Sequence, residues 1–185
     1  MMAKTVAERS DVLPALVETF RSHGFEGASL GRITEATRLG KGSLYHFFPG
    51  GKDEMAAAVM AEIDGWFQQQ VYRPLREEAD GRGAIARMFE RTEQYFHSGR
   101  RACLFGLFAL GSERERFPGP VRSYFVDWVD ALAAALVRCG RPRAAAKAAA
   151  EQVVGGIQGA LVLARALDDA KVFTRMLGRL ARDLE

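Results

Sequence analysis

Residue types that commonly build covalent or metal sites are scarce in this sequence. Its 185 residues include two cysteines, Cys103 and Cys139, and three histidines. No cysteine pair or cysteine–histidine group has the spacing of a metal site, and two isolated thiols do not make a disulfide framework. We therefore expect no metal and no cofactor, and the unpaired thiols fit a reducing compartment.

Long apolar runs are also missing. The stretch with the least charge, residues 102–112, is shorter than the roughly 20 residues that a membrane-spanning helix needs. The first ten residues carry charges and no apolar core, so they do not resemble a signal peptide. A composition of 48% hydrophobic and 26% charged residues is typical of a globular protein. These features predict a soluble, cytoplasmic protein with no membrane partner.

Alternating β-strand patterns are absent, and apolar residues recur at helical spacing between glycines and prolines. The sequence predicts an all-α fold of about nine helices. Pro14 leaves two possibilities for the first helix, a start near Asp11 with the proline in the first turn or an earlier start with a kink. A long helix is expected from about Lys52 until just before Pro74. The change from short to long helices predicts two domains, residues 1–51 and 52–185.

Two short helices near the N-terminus predict a helix-turn-helix. The first is capped by Ser29, and the second extends from Lys41 to about Phe47, after a turn of three to four residues. In such a motif the second helix enters the DNA major groove. Leu44 and Phe48, four residues apart, are expected to pack inward. The segment thus forms a three-helix unit with the preceding helix.

Charge supports this interpretation, because residues 32–52 carry a local excess of basic side chains over one acid, Glu35. Lysines and arginines there would contact phosphates, while small residues would let the backbone approach the bases. The alternatives are solvated surface charges and, for the aromatic tips, packing at a helix end. The predicted DNA-binding residues are Ser29, Arg32, Arg38, Lys41, Gly42, Ser43, Tyr45, His46 and Lys52.

The run from Leu39 to Phe48, LGKGSLYHFF, together with GFEGASL before it, resembles the signature of the TetR family of bacterial regulators. The later segment CLFGL, from Cys103, resembles the LmrA/YxaF-like branch. Three positions depart from the family pattern: Arg38 replaces a turn glycine, Gly40 replaces a capping serine, and Phe47 replaces a histidine. The resemblance implies a homodimeric repressor that binds a palindromic operator on double-stranded DNA and has an effector pocket.

Large rings are dense after residue 55. Aromatic residues at helical spacing more often form a core, but so many rings are also difficult to pack without a gap, and apolar gaps between bundle helices bind ligands. We therefore expect a C-terminal bundle that binds a small apolar or aromatic effector. The predicted pocket residues are Trp66, Phe67, Phe89, Phe96, Phe105, Phe108, Tyr124, Phe125 and Trp128.

A small-residue face marks the helix predicted from Pro142 to Ala166. Each glycine inside a helix costs about 1 kcal/mol relative to alanine, so several of them suggest a close helix–helix contact. In the resembling family the last two helices form the dimer interface; packing within one chain is the alternative. The predicted interface residues are Val153, Gly156, Ile157, Gly159 and Ala160.

Competing functions find little support in the residues. An all-α ligand-binding protein or enzyme without a DNA-binding role would need a site, yet the histidines are scattered and no HExxH, nucleophile elbow or phosphate loop is present. A redox sensor using Cys103 is disfavoured because an apolar setting raises a thiol pKa. The sequence predicts a DNA-binding regulator that is not an enzyme.

Overall fold

A computed structural model describes residues 8–184, and within that range every regular element is helical. The all-α prediction is confirmed. The α-helices are α1 (Leu13–Gly27), α2 (Leu30–Thr37), α3 (Lys41–Phe47), α4 (Gly51–Phe67), α5 (Arg73–Glu77), α6 (Gly81–Tyr95), α7 (Leu104–Leu110), α8 (Glu113–Arg116), α9 (Pro118–Arg138), α10 (Arg143–Ala166) and α11 (Ala170–Arg182). Because α4 and α5 are continuous, residues 8–184 contain ten separate helices. The additional one relative to the sequence prediction is the four-residue α8.

The first helix begins with its proline in the first turn. A 3₁₀ turn, Arg9–Val12, leads into α1, where Pro14 takes an early position that needs no backbone donor. Gly24 has φ of +66° and ψ of −180°, which interrupts the helical backbone before a last turn ends at Gly27. Such a positive φ favours glycine. The regular part of α1 therefore ends at Gly24, and one further turn follows it.

The sequence predicted that the long helix ends just before Pro74, and the structure shows that this prediction is wrong. A π-helical turn, Gln68–Tyr72, connects α4 to α5, so the helix continues through Pro74 to Glu77. A proline inside a regular α-helix removes one hydrogen bond and collides with the carbonyl four residues earlier. In the wider π turn, the N–H of Arg73 donates to the carbonyl of Gln68, five residues back. The altered register places Pro74 at the start of a new helical segment.

The body packs as a bundle around one continuous core. Helix α10 lies between α9 and α11, α6 packs on α9, and α1 contacts both α4 and α7. Phe67 is fully buried, and its ring centroid lies 4.8 Å from that of Tyr95, 5.0 Å from that of Tyr124 and 5.1 Å from that of Trp128. Phe105 stacks on Tyr124 at 4.1 Å. These rings pack tightly against one another.

This packing changes the interpretation of the predicted effector pocket. The nine predicted residues do not line one cavity: the side chains of Phe67, Phe96, Phe105, Tyr124 and Trp128 are at most 1% exposed and form core. Phe108 belongs to a second cluster with Phe25 and Phe117. Trp66 is half-buried against Tyr95 at 4.5 Å. Phe89 and Phe125 border separate surface clefts.

The small-residue face of α10 is divided between the protein interior and its surface. Val153, Ile157 and Ala160 are 2%, 0% and 0% exposed within the single chain, so they are core residues and are not available for contact with a second chain. A Cβ on Gly156 would lie 2.9 Å from the methyl groups of Leu180, so this glycine serves the packing of α10 on α11. By contrast, a Cβ on Gly159 would meet no atom within 4 Å.

No helix in the described range is long and apolar enough to cross a membrane. Likewise, residues 8–184 contain no group of three or more histidine, cysteine or acidic side chains arranged to hold a metal ion. Both thiols are free.

Candidate nucleic-acid interface

Helices α2 and α3 form the predicted helix-turn-helix with a three-residue connection. The Ser29 hydroxyl oxygen accepts a hydrogen bond from the Arg32 backbone N–H at 3.4 Å and so caps α2. In the turn, the Thr37 hydroxyl donates to the Ile33 carbonyl at 2.7 Å and accepts from the Leu39 N–H at 3.4 Å. Arg38 has the left-handed backbone that its position required, with φ of +58°. An arginine there costs on the order of 1 kcal/mol or more.

One side of helix α3 packs on the rest of the unit, and its first turn is open to solvent. Leu44 and Phe48 are both 0% exposed, which confirms that this pair packs inward. Lys41, Gly42 and Ser43, the opening turn of α3, are all exposed. The short helix therefore projects its first turn into solvent while its apolar face holds it on the rest of the unit.

The two aromatic tips at the other end of α3 also face outward. Tyr45 is 44% exposed although its ring is large and apolar, and His46 beside it is exposed as well. The imidazole of His46 lies 5.6 Å from the ring of Phe47, measured between centroids. Tyr45 and His46 thus follow the exposed opening turn on the same accessible side of the unit.

The basic residues near α3 differ in how free they are. Arg38 and Lys41 are exposed, and neither side chain has an ion-pair or hydrogen-bond partner among residues 8–184. The guanidinium of Arg32 donates from Nη1 to the Gly27 carbonyl at 2.7 Å, although its residue remains exposed. Two unpaired cations next to the projecting turn favour contact with a polyanion.

Lys52 lies in a less favourable position than the sequence suggested. Its ammonium is 3.7 Å from a carboxylate oxygen of Glu26 and 4.4 Å from the ring centroid of Phe25, and its side chain is 24% exposed. The first turn of α4 also holds Asp53 and Glu54, and Glu54 accepts the Gly50 N–H at 2.8 Å. Carboxylates therefore already occupy the positive end of this helix.

A junction between the N-terminal helices and the body was not visible in the sequence. The ring of Phe25 lies 6.5 Å from that of Phe108 and 5.7 Å from that of Phe117. Arg116, in α8, lies over the same Phe25 ring at 4.7 Å and bonds to Asp53 of α4 at 2.7 Å. Helix α3 is thus linked to the body through α1 and the start of α4. The partners are more than 60 positions apart along the chain, so no local pattern could reveal them.

Comparisons with known families agree with this geometry. Residues 12–59, which include α2 and α3, match the model described as bacterial regulatory proteins, tetR family. Residues 82–177 match the model described as transcriptional regulator LmrA/YxaF-like, C-terminal domain. YxaF of Bacillus subtilis, an HTH-type transcriptional regulator, is 24% identical over 159 residues, which cover 84% of this chain and 83% of YxaF.

Solved structures show the same fold. A TetR transcriptional regulator from Legionella pneumophila superposes with a TM-score of 0.81 at 19% identity and covers 100% of both chains. The TetR-family regulator CifR, solved as a cysteine mutant with a 26-base-pair operator DNA, has a TM-score of 0.74 at 22% identity and covers 98% of both chains. The family models together extend over most of the described chain, and its projecting helix is the one such regulators require. The chain belongs to the TetR family, with a C-terminal domain of the LmrA/YxaF-like type, and is a DNA-binding transcriptional regulator.

Proposed function

We propose that the protein is a homodimeric repressor that binds a palindromic operator through α3 and leaves it when a small apolar effector binds the body. The observation that carries this proposal is the exposed opening turn of α3, supported from beneath by buried Leu44 and Phe48. A helix held in this way can enter a major groove without unfolding or exposing core. Each protomer would read one half-site.

The roles of individual residues follow from their chemistry and exposure. Lys41 and Ser43 sit in the first turn, where side chains reach base edges, and Gly42 lets the backbone approach the groove floor. Tyr45 and His46 have polar tips that can hydrogen-bond phosphate oxygens. Phosphate contacts along the flanks would come from Ser29, Arg32, Arg38 and, after release from Glu26, Lys52.

Salt-dependent binding to a selected DNA tests the proposal. Duplexes enriched from a random library by the full-length protein would be measured by fluorescence anisotropy at several salt concentrations. We expect an inverted repeat, and we expect Lys41→Ala to weaken binding at least tenfold, since a good base contact is worth about 1–3 kcal/mol. Arg82→Ala is the matched control, because Arg82 is exposed at the opposite end of the body, beside the end of α9. Equal losses in both variants, or no enriched sequence, would contradict the proposal.

The dimer interface that we propose uses the outer side of α10. Five small or apolar residues lie there: Gly155, Val162, Leu163 and Ala166 are exposed, and Gly159 is partly exposed. Val162 is 59% and Leu163 43% exposed, an unusual cost for two adjacent aliphatic residues in a monomer. The absence of side chains on Gly155 and Gly159 would let a second copy of α10 approach closely. A dimer also supplies the two reading helices, which must be spaced about 34–36 Å apart on DNA.

For the effector, the best-supported position is the cleft between α7, α9 and α10. It has a volume of about 230 Å³, and its walls are almost entirely apolar, with Leu107, Phe125 and Leu161 among them. Gln158 borders it with a buried side-chain nitrogen that has no hydrogen-bond partner. A small aromatic or aliphatic molecule with one acceptor would satisfy that nitrogen. Of the aromatic residues predicted from the sequence, Phe125 is the one that fits this role.

The effector would act by shifting α4 relative to the N-terminal helices. Residues 1–51 would move as the DNA-binding unit and residues 52–185 would hold the effector and the partner subunit, with the boundary at the start of α4. The junction of Phe25 with Phe117 and Arg116 would transmit the motion. Because its target is chromosomal DNA, we propose that the protein works in the cytoplasm.

Titration with small apolar molecules tests the effector part. A compound that binds the cleft should release the enriched DNA from the wild-type protein and should lose its effect in Gln158→Leu, while DNA affinity without the compound stays unchanged. Ala86→Leu, at an exposed position of α6, serves as the control. Release that survives Gln158→Leu would show that the cleft is not the effector site.

A further inference from the structure

An arginine-rich cleft lies between α1, the connection from α6 to α7, and the end of α10. Its volume is about 190 Å³, and the polar side chains that line it include those of Glu18, Arg21, His97, Arg100, Arg101 and Arg165. Four guanidinium groups therefore face one carboxylate in a small space. Arg21 is buried, Arg101 is half-buried, and Arg100 and Arg165 are exposed, so uncompensated positive charge costs most at the buried end of the cleft.

The charges within the cleft are incompletely paired. Glu18 bonds to both Arg21, at 2.9 Å, and Arg101, at 2.8 Å. The side chains of Arg100 and Arg165 have no ion-pair or hydrogen-bond partner in the described part of the chain. One carboxylate thus serves two of the four cations and leaves the other two free.

Arg21 supplies the observation that points to a ligand. Its side chain is only 4% exposed, and its Nε is buried with no hydrogen-bond partner. Its other two nitrogens bond to Glu18 and to the Tyr95 hydroxyl. A buried donor without a partner costs free energy, and native structures satisfy such donors with a protein group, an ordered water or a bound ion. A carboxylate or phosphate oxygen in the cleft would do so.

A larger cleft that could hold the rest of an organic molecule shares part of its lining with the first. This second space, of about 400 Å³, shares Arg100, Ala102 and Arg165 with the first and is extended by Leu161 and Ala164. The carboxylate of Asp168 also borders this second space. Ala102, Leu161 and Ala164 supply its aliphatic side chains, and Arg100 and Arg165 supply its cations. A free inorganic ion would leave this second space unused.

We propose that the arginine-rich cleft binds a small organic anion, with its carboxylate or phosphate group on the arginines and its body along Ala102, Leu161 and Ala164. A DNA backbone does not fit, because a convex duplex cannot bring a phosphate to a guanidinium that is almost fully buried. Because Arg21 belongs to α1, the anion bridges the DNA-binding unit to the body. The site shares Ala102, Leu161 and Arg165 with the walls of the apolar effector cleft, but Arg21 and Arg100, which would hold the anionic group, lie outside that cleft. The anion site does not depend on the proposed repression.

Calorimetric titration of the full-length protein with phenyl phosphate tests the site. We expect saturable binding at least tenfold tighter than that of inorganic phosphate or phenol, since neither probe offers both the charge and the ring. The double variant Arg100→Gln/Arg165→Gln should weaken phenyl phosphate at least tenfold. The matched control Arg82→Gln/Arg143→Gln removes the same charge from two exposed positions outside the cleft and should bind as the wild type does.

Hydrogen exchange provides the second readout. Bound phenyl phosphate should slow exchange of the α1 amides in the wild type and not in the double variant, because the anion ties α1 to the body. Equal loss of affinity in both double variants would indicate general attraction and overturn the proposal. The proposal would also be contradicted if phenol or inorganic phosphate bound as tightly as phenyl phosphate. The same holds if Arg100→Gln/Arg165→Gln lowered DNA affinity and left the affinity for phenyl phosphate unchanged. The calorimetric result does not require DNA binding, so a failure of the proposed repression would leave the expected binding of phenyl phosphate unchanged.

Discussion

Arg21 of α1 donates a hydrogen bond to the hydroxyl of Tyr95 on α6, and its guanidinium carbon lies 5.2 Å from the centroid of the same ring. The ring of Tyr95 also contacts α4, because its centroid lies 4.5 Å from that of Trp66. Burial raises the pKa of Tyr95 to about 12, so the phenol stays protonated at neutral pH. The neutral side chain of Tyr95, which belongs to α6, therefore contacts both α1 and α4.

Tyr95→Phe removes only the hydroxyl that Arg21 uses. We expect the free energy of unfolding to fall by about 1–3 kcal/mol, because the substitution leaves a buried charged donor without its acceptor. Urea unfolding followed by circular dichroism measures this. Tyr45→Phe makes the same chemical change on an exposed ring and should cost less than about 0.5 kcal/mol. Equal effects of the two variants would show that the contact carries no stability.

Phe25→Ala should destabilise the junction between α1 and the body. Phe25 is 2% exposed and contacts the rings of Phe108 and Phe117, so truncation should cost about 3–5 kcal/mol through lost burial and a cavity. Thermal unfolding by calorimetry is the measurement. Leu110→Ala, at a leucine that is 85% exposed, is the reference and should change stability little. A loss below about 1 kcal/mol for Phe25→Ala would mean that the junction is loose.

Val162→Glu should weaken self-association if the outer side of α10 is the dimer interface. A carboxylate forced into an apolar contact must lose hydration or separate the chains, and we expect the dimer dissociation constant to rise at least tenfold. Sedimentation equilibrium measures this dissociation constant, with Ala86→Glu at an exposed position of α6 as the control. A dimer that tolerates Val162→Glu would place the interface elsewhere.

Cys103 should react slowly with thiol reagents. The side chain is 7% exposed, and burial raises the pKa of its thiol, so little reactive thiolate forms near neutral pH. Cys139 is partly exposed, and we expect it to be alkylated by iodoacetamide at pH 8 at least tenfold faster. Mass spectrometry of the two cysteine peptides gives both rates in one sample. Faster labelling of Cys103 would reopen a redox role for it.

Local patterns in the sequence predicted most of the fold. The spacing of Leu44 and Phe48 predicted which side of α3 is buried, and the predicted range of the second short helix, from Lys41 to about Phe47, matches α3. Helix ends were also visible through their caps, as with Ser29. These features depend on residues within a few positions of one another, where the helical period is reliable.

Contacts between distant residues could not be predicted in the same way. The pairing of Arg21 with Tyr95 joins positions 74 residues apart, and Lys52 is drawn to Glu26 by tertiary packing. The small residues of α10 were ambiguous for another reason: a glycine fits equally well against a neighbour inside the chain or against a second copy. Only the fold shows that Gly156 faces Leu180 while Gly159 faces open space.

Photo-crosslinking from α3 tests the central claim most directly. The protein would carry p-benzoylphenylalanine at position 45 and be irradiated while bound to the duplex enriched by the wild-type chain. Tyr45 is exposed at the end of α3, so the account predicts a crosslink to the operator, mapped to the half-site. The same label at position 82, at the opposite end of the body, should give none. Crosslinks from position 82 but not from 45 would show that another surface contacts the DNA and would contradict the account.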